Sequence, residues 1–487
     1  MNRPTGLSGA LGSNTSTYVA SAGYASNDGL NQLTLGPSTI SPFGPLGTQS
    51  ITFDPVRQQP TTIIVANPSA TQLTLQYFYC PSGKTSCSTN NGNVQSAGIA
   101  IPGLTLTQTF GYDTVNRLTS ATETGGSDEW NQTYSYDQWG NRAVSGNYIP
   151  NTYATPTSLS QYTNNQWFGT GAAYTDGKGN QTNLPSRTFN YDGENRLVAS
   201  TQPGTGAISY VYDGDGRRVQ KTVGSAVTTY VYDAGGKLVT EYAAGGTPAF
   251  AGTEFLMDDA LGSTRLVLDV TGAVKERIDY LPFGEEIATP VGGRAAPYTT
   301  GVYPTNPDIE AQKFTGKERD NETGLDFFGA RYFSGAQGRF TSPDWSDKPE
   351  PVPYANPQDP QTLNLYAHVR NNPLNTKDEN GHCDWCQKLG NFLGGNGWNT
   401  DAEVESQQAQ EAYRDEQWFL QHGVNPQQVA QLSNWLRSRS SPELVTLYRR
   451  SILSRRTSRR PGTGCLFRLP FRCLEIDPAS TSSWVVV

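Results

Sequence analysis

The sequence Tyr-Val-Tyr-Asp stands at residues 210–213 and again at residues 230–233. Three related tetrapeptides, each an aromatic residue, a variable residue, tyrosine and aspartate, occupy residues 110–113, 134–137 and 189–192. Successive aspartates of the five copies are 24, 55, 21 and 20 residues apart, so the period is about twenty with one longer insertion. A fixed period in this range predicts a repeat architecture in which each unit stacks on its neighbours.

Each copy is typical of a strand that enters a tight turn. Side chains alternate along a strand, so the two aromatic rings of a copy fall on one face. The aspartate then closes the turn, helped by Gly193, Gly214 and Gly216, which tolerate a positive φ. Asp-Gly dipeptides at 192–193 and 213–214 predict two-residue hairpin loops. We therefore expect one hairpin per repeat, with neighbouring hairpins paired edge to edge.

The five copies resemble the YD repeat of the RHS family, and a second region resembles the RHS repeat-associated core domain. Nine short blocks carry that second resemblance in the family's order: residues 259–265, 279–284, 314–320, 322–325, 329–332, 338–340, 342–344, 363–366 and 371–373. The resemblance covers roughly residues 100–382. It implies a β shell, and five repeats are few, so we expect an open or partial cocoon that forms the C-terminal part of a longer protein.

The predicted fold is mainly β, with four regions. Residues 1–100 form a β-rich N-terminal region with repeat-like strands, 101–250 the YD repeats and 251–382 the core. Residues 383–487 form a variable tail, with three short helices predicted between 401 and 453 by apolar spacing and by Pro and Gly punctuation. Cys80 and Cys87 flank a six-residue loop, and the sequence leaves a hairpin disulfide and two free thiols as equal alternatives.

The resemblance also implies chemistry, namely self-cleavage at the C-terminal boundary of the core by a pair of aspartates. Pro373, Asp378 and Gly381 match the family's boundary motif, whereas Glu379 replaces its proline and His382 its leucine. The family's second aspartate and its arginine match at Asp344 and Arg331.

Two adjacent carboxyls share a proton, so one of them can activate water. The bond to be cut would join His382 to Cys383. Against this hypothesis, Ser-Pro-Asp and Asp-x-x-Gly are also ordinary turn sequences that do no chemistry.

The tail differs from the rest of the chain in charge. Residues 383–487 carry a net charge of +2, and the rest of the chain carries −10. Ten arginines stand between residues 437 and 472, including a set that could contact phosphate: Arg449, Arg450, Arg455, Arg456, Arg459 and Arg460. Nucleic acid or anionic lipid are the partners that such a run would bind, and a solvated face is the alternative. The cysteine spacing of the tail fits no common zinc site, so the sequence predicts no metal and no cofactor.

Three functional hypotheses follow. In the first, the chain is the release end of a polymorphic toxin that cleaves itself once after His382, with residues 383–487 as payload. In the second, it is a non-catalytic surface protein that binds glycans or cells through its aromatic hairpins. In the third, it is a decayed RHS fragment.

The resemblance implies secretion or cell-surface exposure, with an upstream RHS shell or secretion apparatus and an immunity protein as partners. The first residues show no apolar signal-peptide segment, and no run of eighteen apolar residues predicts a membrane span.

Overall fold

Antiparallel strands make up the fold. The structure, a computed structural model, describes residues 3–11, 14–36, 46–81, 84, 87–169, 175–184, 187–204, 206–232, 238–244, 254–298, 311–345, 360–382, 467–469 and 472–474. Within these residues the first sheet has eleven strands in chain order: β1 (Leu7–Leu11), β2 (Asn14–Tyr24), β3 (Leu30–Leu35), β4 (Gly47–Phe53), β5 (Pro60–Ala66), β6 (Thr71–Phe78), β7 (Ser96–Ile101), β8 (Leu104–Tyr112), β9 (Leu118–Thr124), β10 (Asn131–Tyr136) and β11 (Arg142–Gly146). This sheet continues without a break across residue 100.

A second large sheet holds the later repeats. A short pair, β12 (Tyr162–Thr163) and β13 (Gln166–Trp167), comes before it. The second sheet has seven strands in chain order: β14 (Asn183–Leu184), β15 (Arg187–Tyr191), β16 (Leu197–Gln202), β17 (Gly206–Tyr212), β18 (Arg218–Val223), β19 (Ala226–Tyr232) and β20 (Leu238–Ala244). Every strand pair in both large sheets is sequential and antiparallel, which is the meander that stacked hairpins produce.

Smaller sheets and single helical turns complete the described residues. The small sheets are β21 (Phe255–Asp258), β22 (Thr264–Leu268) and β23 (Val274–Arg277), then β24 (Glu318–Asp320), β25 (Leu325–Phe327), β26 (Tyr332–Ser334) and β27 (Arg339–Phe340). Short 3₁₀ helices occur at Leu159–Gln161, Val291–Gly293, Phe314–Gly316, Pro360–Leu363 and Val369–Asn371. None of the described residues forms an α-helix, and no helix among them is long and apolar enough to cross a membrane.

The predicted alternation within each repeat is confirmed. In β17 the ring of Tyr210 is 3% exposed, whereas Val211 beside it is 48% exposed. The second ring of the copy, Tyr212, is half-buried, and its hydroxyl donates to the carbonyl oxygen of Leu197 at 2.7 Å. The same bond recurs from Tyr136 to the Leu118 carbonyl and from Tyr232 to the Arg218 carbonyl. In these three copies a tyrosine hydroxyl, as well as the strand ladder, ties the copy to the strand before it, whereas the Tyr191 hydroxyl bonds to that of Thr341 in the core region.

The turns are built by the aspartate side chain. Asp192 Oδ1 accepts hydrogen bonds from the backbone N–H groups of Glu194 and Arg196 at 2.9 and 3.0 Å. The fourth turn residue, Asn195, has a φ of 62°, and glycine takes this left-handed position in other copies. The same two backbone bonds occur at six further aspartates: Asp113, Asp137, Asp176, Asp213, Asp259 and Asp269. The turn of the fifth sequence copy, after Tyr232, lies outside the described residues.

The prediction of two-residue hairpin loops is wrong. Tyr191 pairs with Leu197, so five residues lie between the paired ends of β15 and β16. The left-handed residue is the fourth of the turn, and Gly193 and Gly214, the second residues of their turns, do not adopt a positive φ. The aspartate side chain replaces the short-loop geometry because it supplies two acceptor bonds to its own turn.

The core module, residues 254–382 with the gaps given above, packs against both large sheets. Phe283 lies 5.3 Å from the Tyr134 ring of the first sheet. Tyr332 lies 5.6 Å from the Tyr210 ring of the second sheet. The apolar clusters that contain these rings join the core module to the buried faces of the repeats. The aromatic residues of the repeat thus serve as the packing surface for the core module.

Of the two alternatives for Cys80 and Cys87, a disulfide or two free thiols, the structure shows the disulfide. It describes only a small part of the tail. Cys80 and Cys87 form a disulfide with a Cα–Cα distance of 5.8 Å. The three predicted helices, Cys383 and the six arginines of the basic run lie outside the described residues. The described part of the tail is one antiparallel pair, β28 (Phe467–Leu469) and β29 (Arg472–Leu474), in a separate unit from the core module.

Candidate active site

The core module ends in a short strap, residues 378–382, that is held by its own aspartate. Asp378 Oδ1 accepts from the backbone N–H groups of Asn380 and Gly381 at 3.1 and 2.7 Å. Gly381 has a φ of 82°, and a Cβ there would lie 3.1 Å from the backbone nitrogen of Arg331. Glycine is needed here because both the backbone conformation and the narrow space exclude a side chain.

Arg331 joins both aspartates that the sequence singled out. Its Nη2 lies 3.0 Å from Asp344 Oδ2 and 4.0 Å from Asp378 Oδ2. Its Nε donates to the carbonyl oxygen of Gly381, one residue before His382. The guanidinium is buried and lies 3.7 Å above the centre of the Phe340 ring. One buried cation therefore brings Asp344, Asp378 and the strap together.

The two carboxyls have different surroundings. Asp378 is 1% exposed, and its Oδ2 has no hydrogen-bond partner among the described residues. Burial raises the pKa of Asp378, and the nearby Arg331 cation opposes part of that rise. Asp344 instead has partners on both oxygens, since Oδ2 faces Arg331 and Oδ1 accepts from the Trp345 backbone N–H at 2.9 Å. The surroundings of Asp378 therefore favour its protonated form, whereas Asp344 is paired on both oxygens.

His382 lies against Asp344. Its ring Nδ1 is 2.7 Å from Asp344 Oδ1, and its ring packs edge-on against Trp345 with 4.5 Å between the ring centres. The residue that departs from the family pattern therefore contacts one of the two aspartates directly. The sequence gives no sign of this contact, since it marks His382 only as a departure from the family motif and as the residue before the proposed bond.

Glu379, the other departure, has two lysine partners. The Lys377 ammonium lies 2.7 Å from Glu379 Oε1. Lys317 Nζ donates to the Glu379 carbonyl oxygen at 2.7 Å, and burial lowers the pKa of both lysines. Neither lysine is recognisable from the sequence as part of the site. Lys317 lies in one of the nine family blocks, but its contact with residue 379 spans 62 residues and follows from the fold alone.

A neutral histidine stands behind the site. His368 is fully buried, and both of its ring nitrogens lack a hydrogen-bond partner among the described residues. Its ring centre lies 4.5 Å from that of Phe333 and 5.7 Å from that of Phe340, the ring beneath Arg331. Burial lowers the pKa of His368 to about 3, with further contributions from Arg331 and Lys317. The wall behind the Arg331 cation is therefore uncharged at neutral pH.

Pro373 lies apart from this cluster. It lines a cavity of about 70 Å³ together with Leu374 and residues of the first sheet such as Ile99. The structure thus brings Arg331, Asp344, Asp378, Gly381 and His382 together and places Pro373 elsewhere.

The described residues form a mainly β fold, and the chain is distantly similar to RHS/YD-repeat toxin proteins. It is 26% identical over 280 residues to the tRNA3(Ser)-specific nuclease WapA of Bacillus spizizenii, a match that covers 52% of this chain and 11% of WapA. It is 31% identical over 134 residues to the toxin subunit YenC2 of Yersinia entomophaga, covering 26% of this chain and 11% of YenC2. The chain thus spans about a tenth of the length of these curated relatives.

The sheet architecture is shared with a solved toxin complex. The crystal structure of TcdB2-TccC3-Cdc42 superposes with a TM-score of 0.54 at 20% identity, over 80% of this chain and 20% of that one. At this identity the match shows a common fold. No protein-family model matches the chain.

Proposed function

We propose that this chain is the release end of an RHS-type toxin shell, and that its core module hydrolyses the His382–Cys383 bond once to free residues 383–487. One observation carries the proposal: Arg331 lies between Asp344 and Asp378 while holding the Gly381 carbonyl, one residue before the bond. A strap fixed at this place holds His382, the residue before that bond, against the Asp344 carboxyl.

The two carboxyls take complementary roles in the proposed reaction. Asp344, whose Oδ2 faces Arg331, accepts a proton from a water molecule as the water oxygen attacks the carbonyl carbon of His382. Asp378, whose raised pKa favours the protonated form, gives its proton to the nitrogen of Cys383 as the C–N bond breaks. The products are a carboxyl group on His382 and an amino group on Cys383.

The proposal includes a delivery role outside the cytoplasm. The Cys80–Cys87 disulfide supports an oxidising compartment, and it agrees with secretion or cell-surface exposure. The names of WapA and YenC2, a nuclease and a toxin subunit, support a toxic payload. We accordingly propose an upstream shell or secretion apparatus and an immunity protein as partners. Nucleic acid, through the arginine run at 437–472, remains a predicted target of the tail.

The alternative of a glycan-binding surface gains no support from the repeats. The first ring of each described copy is buried: Phe110, Tyr134, Phe189, Tyr210 and Tyr230 are 1–6% exposed. Those rings pack on the core module and its neighbours, so they offer no face to a glycan.

Intact mass of the purified full-length chain tests the proposal. We expect wild type to give two fragments that meet at His382–Cys383, and Asp344→Asn and Asp378→Asn to give one uncut mass. Asp215→Asn is the matched control, because Asp215 is 71% exposed and lies in a repeat turn away from the site. This control should cleave like wild type. An uncut wild type, or normal cleavage in either site variant, would overturn the proposal.

A further inference from the structure

The side chain of His382 makes a close, largely buried contact within the candidate site. Its Nδ1 lies 2.7 Å from Asp344 Oδ1, and only 13% of the side chain is exposed. A carboxylate oxygen only accepts, so the imidazole donates in this bond. Trp345 closes the other side, with its ring at 89° to the imidazole. A leucine at this position could not make the contact, since its side chain has no hydrogen-bond donor.

We infer that Asp344 and Trp345 form the recognition site for the residue before the cleaved bond, and that His382 is a positioning residue that this site selects by a hydrogen bond. The inference rests on the proposed self-cleavage and adds to it how the core module recognises the residue before the bond that it cuts. A charge-assisted bond of this kind is about twice as strong as a neutral one.

Each preceding position of the strap is already held by the core module. Lys317 holds the carbonyl of residue 379, and the Ala330 backbone N–H donates to the carbonyl of Asn380 at 3.0 Å. Arg331 holds the carbonyl of Gly381. His382 is the next position, and its side chain is the last described anchor before the proposed bond. Losing that anchor frees the His382 carbonyl to rotate away from the carboxyls, and reactions that depend on orientation slow steeply when this happens.

Packing against Trp345 is the competing explanation of the same geometry. If packing alone positions the residue, leucine should serve at least as well as histidine. If the hydrogen bond positions it, a side chain with a donor at the δ position should serve and leucine should fail. Asparagine carries its amide nitrogen at the δ position, as histidine does Nδ1, so the two variants separate the explanations.

The experiment follows self-cleavage of newly made full-length chain over time, in cell-free translation, for wild type, His382→Leu and His382→Asn. We expect His382→Leu to cleave about 10- to 100-fold more slowly, the effect of losing a hydrogen bond to a charged group. His382→Asn should stay within about threefold of wild type, because the donor is kept. This rescue also shows that a change at residue 382 leaves the site folded.

The outcomes separate the two proposals. If wild type cleaves and His382→Leu cleaves as fast or faster, the recognition rule is wrong and self-cleavage stands. Equal slowing of His382→Leu and His382→Asn also overturns the rule, because the donor then makes no difference. If wild type stays uncut, both proposals fail together.

Discussion

The repeat turns and the contact between the second sheet and the core module are stabilised in opposite ways. In a repeat turn, Asp192 binds the backbone of residues two and four positions ahead, so all of the information is local. In the contact, Arg218 of β18 donates to Asp320 of β24 at 3.0 Å and to the Tyr332 hydroxyl at 2.7 Å, across 102 and 114 residues. Because the hydrogen bonds of the turns are local, the repeats can be recognised in the sequence. The long-range hydrogen bonds form only in the folded chain.

The long-range contact is a buried cluster of unbalanced charge. Lys221 lies 3.0 Å from both Glu318 and Asp320 and 3.6 Å from Glu322, and Arg218 pairs with the first two acids. Three acids thus face two bases. Burial, followed by the neighbouring Asp320 charge, raises the pKa of Glu322 to about 7. The cluster holds the core module to the second sheet. Unlike the repeat turns, it contains a buried carboxyl, Glu322, whose pKa is raised.

The largest effect that we expect comes from breaking this cluster with Arg218→Met. Removing one partner leaves buried acids with too few cations, and such losses cost about 3–5 kcal/mol in the free energy of unfolding. Thermal unfolding followed by circular dichroism measures the loss. Arg217→Met is the matched control, since its side chain is 36% exposed and its surface ion pairs are worth about 0–1 kcal/mol. Similar melting of the two variants would show that the cluster contributes no more than a surface pair.

The difference between local and long-range contacts also determines how much of the fold could be predicted from the sequence. The strand pattern and the period followed from residues a few positions apart, and both were correct. The Tyr-x-Tyr-Asp pattern was too strict, however, because Asp176, Asp259 and Asp269 form the same turn without the aromatic pair. A pattern of aspartate followed three residues later by asparagine or glycine would have found them.

The candidate site also combines residues that could be identified from the sequence with contacts that only the fold creates. The resemblance supplied Arg331, Asp344 and Asp378, and the structure places them together. It treated His382 and Glu379 only as departures, because their partners Asp344 and Lys317 lie 38 and 62 residues away in the chain. Contacts over such separations cannot be predicted before the fold brings the residues together.

A smaller effect is expected from pH, and Glu322→Gln tests it. The unfolded chain releases the Glu322 proton near the ordinary pKa of 4.5, whereas the folded chain keeps it until about pH 7. The stability from this group is therefore complete below 4.5 and is lost as pH rises through about 7. The variant has no proton to lose, so its melting temperature should gain on wild type from about pH 5 to about pH 8.

Glu194→Gln is the control for this series, because Glu194 is 72% exposed in a repeat turn. Its melting temperature should follow wild type at every pH. A constant difference between wild type and Glu322→Gln across the range would contradict the buried proton.

The smallest effect separates two glycines of one turn, Gly214 and Gly216. Both have open space where a Cβ would go, so conformation alone decides the result. Gly214 lies outside the left-handed region, and Gly214→Ala should stabilise the turn by about 0.5 kcal/mol because it restricts the unfolded chain. Gly216 has a φ of 80°, and Gly216→Ala should cost about 1 kcal/mol because L-residues are strained there. Hydrogen exchange of the Asp215 and Arg217 amides, both bonded to Asp213, reports this turn locally. Protection should rise in the first variant and fall in the second, and a change of the same sign in both would mean that the fourth position of the turn has no special conformation.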